Sequence, residues 1–153
     1  MFDRLRAWLG DEESAPSGSR EELQLAVAAL LIEAGRVDEA LGDGERAVIS
    51  RLLERHFALG SAEARLLEEA AERRAEQSAQ LFGFVRTINE RLVPERRVEL
   101  IEILWEVAYA DGILDPLEDA LLRRIGGLID VTDHDRGAAR RRVIERLGIV
   151  ETD

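Results

Sequence analysis

Apolar residues recur along this chain at the three- and four-residue spacing of helices, and no segment keeps the two-residue alternation of a half-buried strand. Phe2, Leu5, Trp8 and Leu9 share one helical face, with Asp3, Arg4 and Arg6 elsewhere on that surface. The stretch from Gly10 to Ser19 is acidic and rich in Ser, Gly and Pro, the composition of a flexible linker. Ser19 and Glu22 form a capping-box pattern before the apolar run Leu23 to Ile32, and Gly35 marks that helix's end. A second helix starts near Asp43 and carries Val48, Ile49, Leu52, Leu53 and Phe57. Gly60-Ser61 breaks and recaps the chain for a third, running through about Glu76. Ser78 opens a fourth, with Leu81, Phe82, Val85, Ile88 and Leu92 on its apolar face. Pro94 suits the first position of a fifth, reaching about Tyr109, and Asp115-Pro116 starts a sixth to about Ile129. Thr132 or Asp133 caps the last, which runs to about Leu147. The pattern predicts an all-α bundle of about seven helices over residues 20–150, preceded by a short amphipathic segment and linker over 1–19.

Two stretches align without a gap at an offset of 73 residues, Leu31 to Glu45 and Leu104 to Glu118. Their shared frame is Glu-x4-Asp-x6-Glu, with Glu33, Asp38 and Glu45 against Glu106, Asp111 and Glu118. Leu41 matches Leu114, and beyond the frame Ile49 matches Leu122 and Leu52 matches Ile125. A helix–acidic loop–helix unit used twice follows, each copy covering an apolar face the other cannot bury alone.

The acids of this frame have two readings. Glu99, Glu102 and Glu106 read as an exposed stripe at helical spacing, whereas their counterparts are Ala26, Ala29 and Glu33, so one acid of three persists. Glu33 lies among Leu30, Leu31, Ile32 and Ala34 at a helix C-terminus, where the helix dipole opposes negative charge. With Asp38 and Asp111 following, a hard divalent cation such as Ca²⁺, Mg²⁺ or Mn²⁺ is one way to neutralise the group. The other reading is structural: Asp115, Pro116 and Glu118 fit the N-cap, first and third helical positions of a capping box, and Asp38 and Asp111 fit turns. The spacing is not that of an EF-hand loop. Arg86 and Asn89, between the copies, are candidates for ordering the acidic loops by hydrogen bonds.

Composition narrows the chemistry. With 21 Lys+Arg against 32 Asp+Glu the net charge is −11, a field that repels nucleic-acid phosphates and favours cations and basic protein surfaces. The absence of cysteine excludes disulfides, thiolate zinc sites and a cysteine nucleophile, and it suits a reducing cytoplasm. No apolar run approaches the ~18–20 residues of a membrane span, and no cleavable signal opens the sequence. Residues 2–9 have three possible uses: contact with a membrane surface, packing on the body, or docking on a partner. His56 and His134 lack the Glu three residues before that di-iron bundles use, and no phosphate loop or nucleophile elbow is present. Arg136, Arg140, Arg141, Arg142 and Arg146 make the last helix basic, suited to pairing with surface acids or docking an acidic partner. Trp105 and Tyr109, spaced i, i+4, read as core contacts.

At Leu104-Trp-Glu-Val-Ala-Tyr-Ala-Asp-Gly-Ile-Leu-Asp-Pro-Leu-Glu118 the chain resembles the tellurite-resistance protein B (TerB-like) family, whose hallmark is an alanine-rich helix, an Asp-Gly loop and a downstream Glu in each half. Glu33 to Glu45 is a degraded copy, with Glu39 in place of Gly112, and Phe84 to Leu92 resembles the family's middle helix. The resemblance covers about Glu21 to Leu147. It implies an all-helical domain binding divalent metal through its acids and linked to metal or envelope stress. The family's domain also occurs beside DnaJ-type co-chaperone modules, but the His-Pro-Asp signature of such a module is absent here. The expectation is a cytoplasmic, non-catalytic module that binds a divalent cation through Glu33, Asp38, Glu45, Glu106, Asp111 and Glu118, supported by Asp115, Arg86 and Asn89, and that engages a protein partner. The alternative is a metal-independent helical adapter, for which a membrane contact through residues 2–9 is one option.

Overall fold

Two helices of this protein are buried on every face over much of their length, which places them at the centre of the bundle. In the computed structural model, which describes residues 17–36, 42–75, 80–110, 114 and 116–149, these are α1 (Ser17–Gly35) and α5 (Pro94–Ala108). From Ala26 to Ile32 every residue of α1 is buried, and so is every residue of α5 from Leu100 to Ala108. Around them stand α2 (Asp43–Phe57), α3 (Ser61–Ala75), α4 (Gln80–Arg91), α6 (Pro116–Leu128) and α7 (Asp133–Leu147). α3 and α4 pack on α1, α7 and α6 pack on α5, and α2 touches both central helices. The described residues contain seven helices and no strand, as the periodicity predicts. None of these helices is long and apolar enough to cross a membrane.

Local sequence explains most helix ends. Thr132 Oγ1 accepts the Asp135 backbone N–H at 3.1 Å, the N-cap expected for α7. The Glu63 carboxylate accepts the Gly60 N–H at 3.1 Å and so steadies the start of α3. Pro94 and Pro116 each begin a helix, where the missing N–H costs nothing. α1 differs from expectation: it reaches back to Ser17, so Ser19 lies inside the helix and the last residues of the predicted linker are helical. The Ser78 cap falls outside the described residues, as does the segment carrying Phe2, Leu5, Trp8 and Leu9.

The last three helices close against one another at a tight corner. Gly126 is buried in α6, and a Cβ there would lie 3.3 Å from Arg136 Cδ, which would have to give by a few tenths of an ångström, and 3.8 Å from Ile101 Cδ1, an ordinary contact. Asp130 then turns the chain with a positive φ of 58°, and the Val131 N–H returns to the Gly126 carbonyl at 2.8 Å, closing the end of α6.

The helix junctions of the two 73-residue-offset stretches lie at equivalent positions: α1 ends at Gly35 and α5 at Ala108, while α2 begins at Asp43 and α6 at Pro116. The matched apolar residues Ile49, Leu122, Leu52 and Ile125 are all buried. Phe82 departs from its periodicity. It is 59% exposed, with the Arg124 guanidinium 5.8 Å from its ring centre, a cation–π contact with α6 in place of a core position.

Candidate functional site

The sequence-derived acids fall into three groups. Asp38, Asp111 and Asp115 lie outside the described residues. Glu33 and Glu45 flank the first junction, and each is engaged locally. Glu33, in the last turn of α1, accepts from Arg36 Nη2 at 3.1 Å. Glu45 is the third residue of α2 and lies back over the helix start, close enough that a Cβ on Gly42 would meet its Oε2 at 3.1 Å. The glycine is what admits the carboxylate there. Glu106 and Glu118 flank the second junction, Glu106 buried near the end of α5 and Glu118 half-buried in the first turn of α6. Among the described residues no three His, Asp or Glu groups converge as a metal cage does.

The stripe Glu99, Glu102 and Glu106 is not solvent-facing. Glu99 is half-buried and pairs with Arg96 at 2.7 Å, while Glu102 and Glu106 are only 7% and 6% exposed. Their neutralising charge comes from α7. Arg142 Nε donates to Glu102 Oε2 at 3.1 Å, Arg146 Nη1 donates to Glu102 Oε1 at 2.7 Å, and Arg146 Nη2 donates to Glu106 Oε1. Arg146 thus bridges two buried carboxylates. Beside it Arg140 Nε donates to the Tyr109 hydroxyl at 3.0 Å, and its guanidinium lies 5.7 Å from the Trp105 ring centre. Arg142 and Arg146 therefore hold buried acids where surface pairing was expected, while Arg136 does pair with a surface acid, Asp133, at 3.2 Å. The positions equivalent to Glu99 and Glu102 on α1 are Ala26 and Ala29, both buried, so the first central helix needs no such partners.

A second charged cluster joins α2 to α3. Glu68 is buried, accepts from Ser50 Oγ at 2.5 Å, and lies 3.4 Å from Arg46. Arg46 also makes a bidentate pair with Glu72, at 2.7 and 2.9 Å. Those hydrogen bonds hold Glu72 below the usual carboxylate range, and they outweigh its desolvation.

Asn89 does not reach an acidic loop in the described structure. Its Nδ2 donates to the Leu128 carbonyl at 3.0 Å, and Arg97 donates to its Oδ1 at 3.3 Å, so it serves the α6–α7 corner. Arg86 is exposed on α4. Trp105 and Tyr109 are buried core contacts with ring centres 6.1 Å apart, and His56 is buried in the last turn of α2.

The buried cluster sets a pH dependence. Burial pushes the Glu102 carboxyl up, but the hydrogen bonds from Arg146 and Arg142 outweigh it and hold the group below its ordinary value. A carboxylate lowered on folding adds stability above its unfolded pKa, and that stability is lost as pH falls through the folded value. The urea midpoint is therefore expected to fall as the pH drops below the unfolded glutamate value of about 4.3. In Glu102→Gln the fall should be shallower; an unchanged slope would remove Glu102 from the account.

What the sequence reading missed was legible in one respect. Glu102 and Glu106 stand i, i+4 inside an apolar run, and Arg142 and Arg146 stand i, i+4 on the last helix, matched spacings that allow a two-rung pairing. A further feature carried no sequence signal. A cavity of about 320 Å³ opens between α2, the end of α5 and the residues after α7, lined in part by Val48, Arg51, Glu106, Leu147 and Ile149.

Comparison with known proteins bears on the family alone. No curated protein and no solved structure matches the chain. A family model described as tellurite resistance protein TerB matches residues 24–141, from within α1 into α7. That span takes in both central helices, both junctions and the middle helix α4, more than half of the 153 residues. The chain belongs to the tellurite resistance protein TerB family.

Proposed function

We propose that this TerB-family helical module is non-catalytic and binds a divalent cation at the α5–α6 junction, in the service of a protein interaction. The observation that carries this reading is the asymmetry between the junctions. At the first, Glu33 likewise has only one oxygen paired among the described residues, to Arg36, but its side chain is 31% exposed where Glu106 is buried, and Glu45 is half-buried over Gly42. At the second, Glu106 gives one oxygen to Arg146, and its Oε2 has no partner among the described residues. The donors fit a hard cation, because the junction offers carboxylate oxygens and neither thiol nor imidazole. Asp111, Asp115 and Glu118 join Glu106 as the residues that would hold the ion, the two aspartates on the strength of sequence alone. The ion would supply positive charge between two helix ends and fix the junction for a partner, and the protein's charge of −11 favours its approach. A link to metal or envelope stress rests on this binding.

Thermal melting tests it. At a cation concentration about 100 times the dissociation constant the fold should gain roughly 2.7 kcal/mol. Asp111→Asn and Glu118→Gln should abolish that gain, and Glu33→Gln should keep it. If millimolar Ca²⁺, Mg²⁺ and Mn²⁺ all leave the midpoint unmoved, the cation reading is wrong.

A further inference from the structure

We infer that the cavity between α2, the end of α5 and Ile149 is a binding site for a small aliphatic zwitterion of amino-acid size, a role that goes beyond the cation reading and does not depend on it. Its volume of about 320 Å³ lies at the lower end of ligand pockets, about 300–1,000 Å³, too small for a nucleotide with its phosphates. Two opposite charges line it without meeting. Glu106 is 6% exposed and has Oε1 on Arg146, while Oε2 makes no hydrogen bond among the described residues. Arg51 is exposed on α2 and makes no hydrogen bond or ion pair among the described residues, Glu106 included. A carboxylate and a guanidinium on one cavity wall that do not pair leave an acceptor for an ammonium and a planar fork for a carboxylate.

The remaining wall sets the body of the ligand. Val48 and Ile149 are half-buried, and Leu147 is 41% exposed, a leucine that gains by being covered. A cation held in this cavity by Glu106 alone, without the acids of the α5–α6 loop, meets repulsion from Arg51, and a simple anion meets Glu106 within a protein of charge −11. A neutral molecule with both charges and a short apolar side chain meets neither. A charged cavity between α2 and α3 differs on this point, because Arg46 is taken by Glu72 at 2.7 Å and Arg65 by Glu69 at 3.6 Å.

The test is a nitrogen-15 amide NMR titration of the full chain in EDTA, so that the result is independent of any cation. The probes are L-leucine, L-valine, N-acetyl-L-leucine and L-leucinamide. L-leucine or L-valine should shift the amides of Arg51, Glu106, Ala110 and Leu147 saturably, with a dissociation constant below about 10 mM. Each blocked analogue should bind about tenfold or more weakly, the loss expected for one charge-assisted hydrogen bond. Arg51→Gln, a surface change that leaves the fold intact, should weaken the free amino acid by a similar factor and bind L-leucine and L-leucinamide alike. Glu106→Gln should erase the preference for a free ammonium. Absence of saturable shifts with both amino acids, shifts elsewhere on the surface, or equal binding of all four probes would overturn the assignment.

Discussion

Arg146→Ala is expected to lower the unfolding free energy by about 2–3 kcal/mol, against about 1 kcal/mol or less for Arg142→Ala. The two arginines stand one turn apart on α7 and look equivalent in sequence, but their partners differ. Arg146 is the sole cation on Glu106 among the described residues and shares Glu102 with Arg142. Removing it leaves Glu106, 6% exposed, as a buried charge with no partner. Removing Arg142 leaves Glu102 still held by Arg146 at 2.7 Å. Both guanidinium groups are more than a third exposed, 41% for Arg146 and 48% for Arg142, which puts the losses below those of a fully buried pair. Urea denaturation at pH 7 gives both values. A cycle with Glu106→Gln isolates the pair, because the amide needs no counter-charge and should recover part of the loss. Equal effects of the two arginine variants would mean that Glu106 is hydrated and needs no cation.

This cluster marks where the sequence stops being sufficient. Helical periodicity, Pro94, Pro116 and the Thr132 cap specify elements through contacts a few residues apart, and those expectations agree with the helices observed. Whether a helix face is wet depends on what packs on it from far along the chain. Glu102 and Arg146 are 44 residues apart, so a glutamate stripe that reads as a solvent face is closed over by α7. Phe82 fails in the opposite direction: its spacing fits the apolar face of α4, yet α6 offers it only a guanidinium at 5.8 Å. The junction acids lie between these cases. Their recurrence was legible, and the structure shows Glu33 and Glu45 engaged at home, while the cavity beside Glu106 is assembled from the middle of α2 and the ends of α5 and α7, which nothing local brings together.

Trp105→Ala should be the most damaging single change in the core, at about 3–5 kcal/mol, because it removes a large side chain with no exposed surface from the central helix α5. The indole supports more than its own volume. Tyr109 packs against it at 6.1 Å between ring centres, and the Arg140 guanidinium covers it at 5.7 Å, so the Tyr109–Arg140 contact between α5 and α7 loses its floor when the ring goes. Polar satisfaction argues for a milder variant. The Trp105 Nε1 is buried and has no hydrogen-bond acceptor among the described residues, a state that costs about 1–3 kcal/mol. Trp105→Phe removes that orphaned donor while keeping most of the aromatic contact, and the smaller ring opens a small void. These effects oppose each other, so Trp105→Phe should stay within about 1 kcal/mol of the parent while Trp105→Ala does not. Chemical denaturation of the two variants decides it. If phenylalanine proves as destabilising as alanine, the indole nitrogen is bonded and the packing of the ring is the smaller part of what Trp105 contributes.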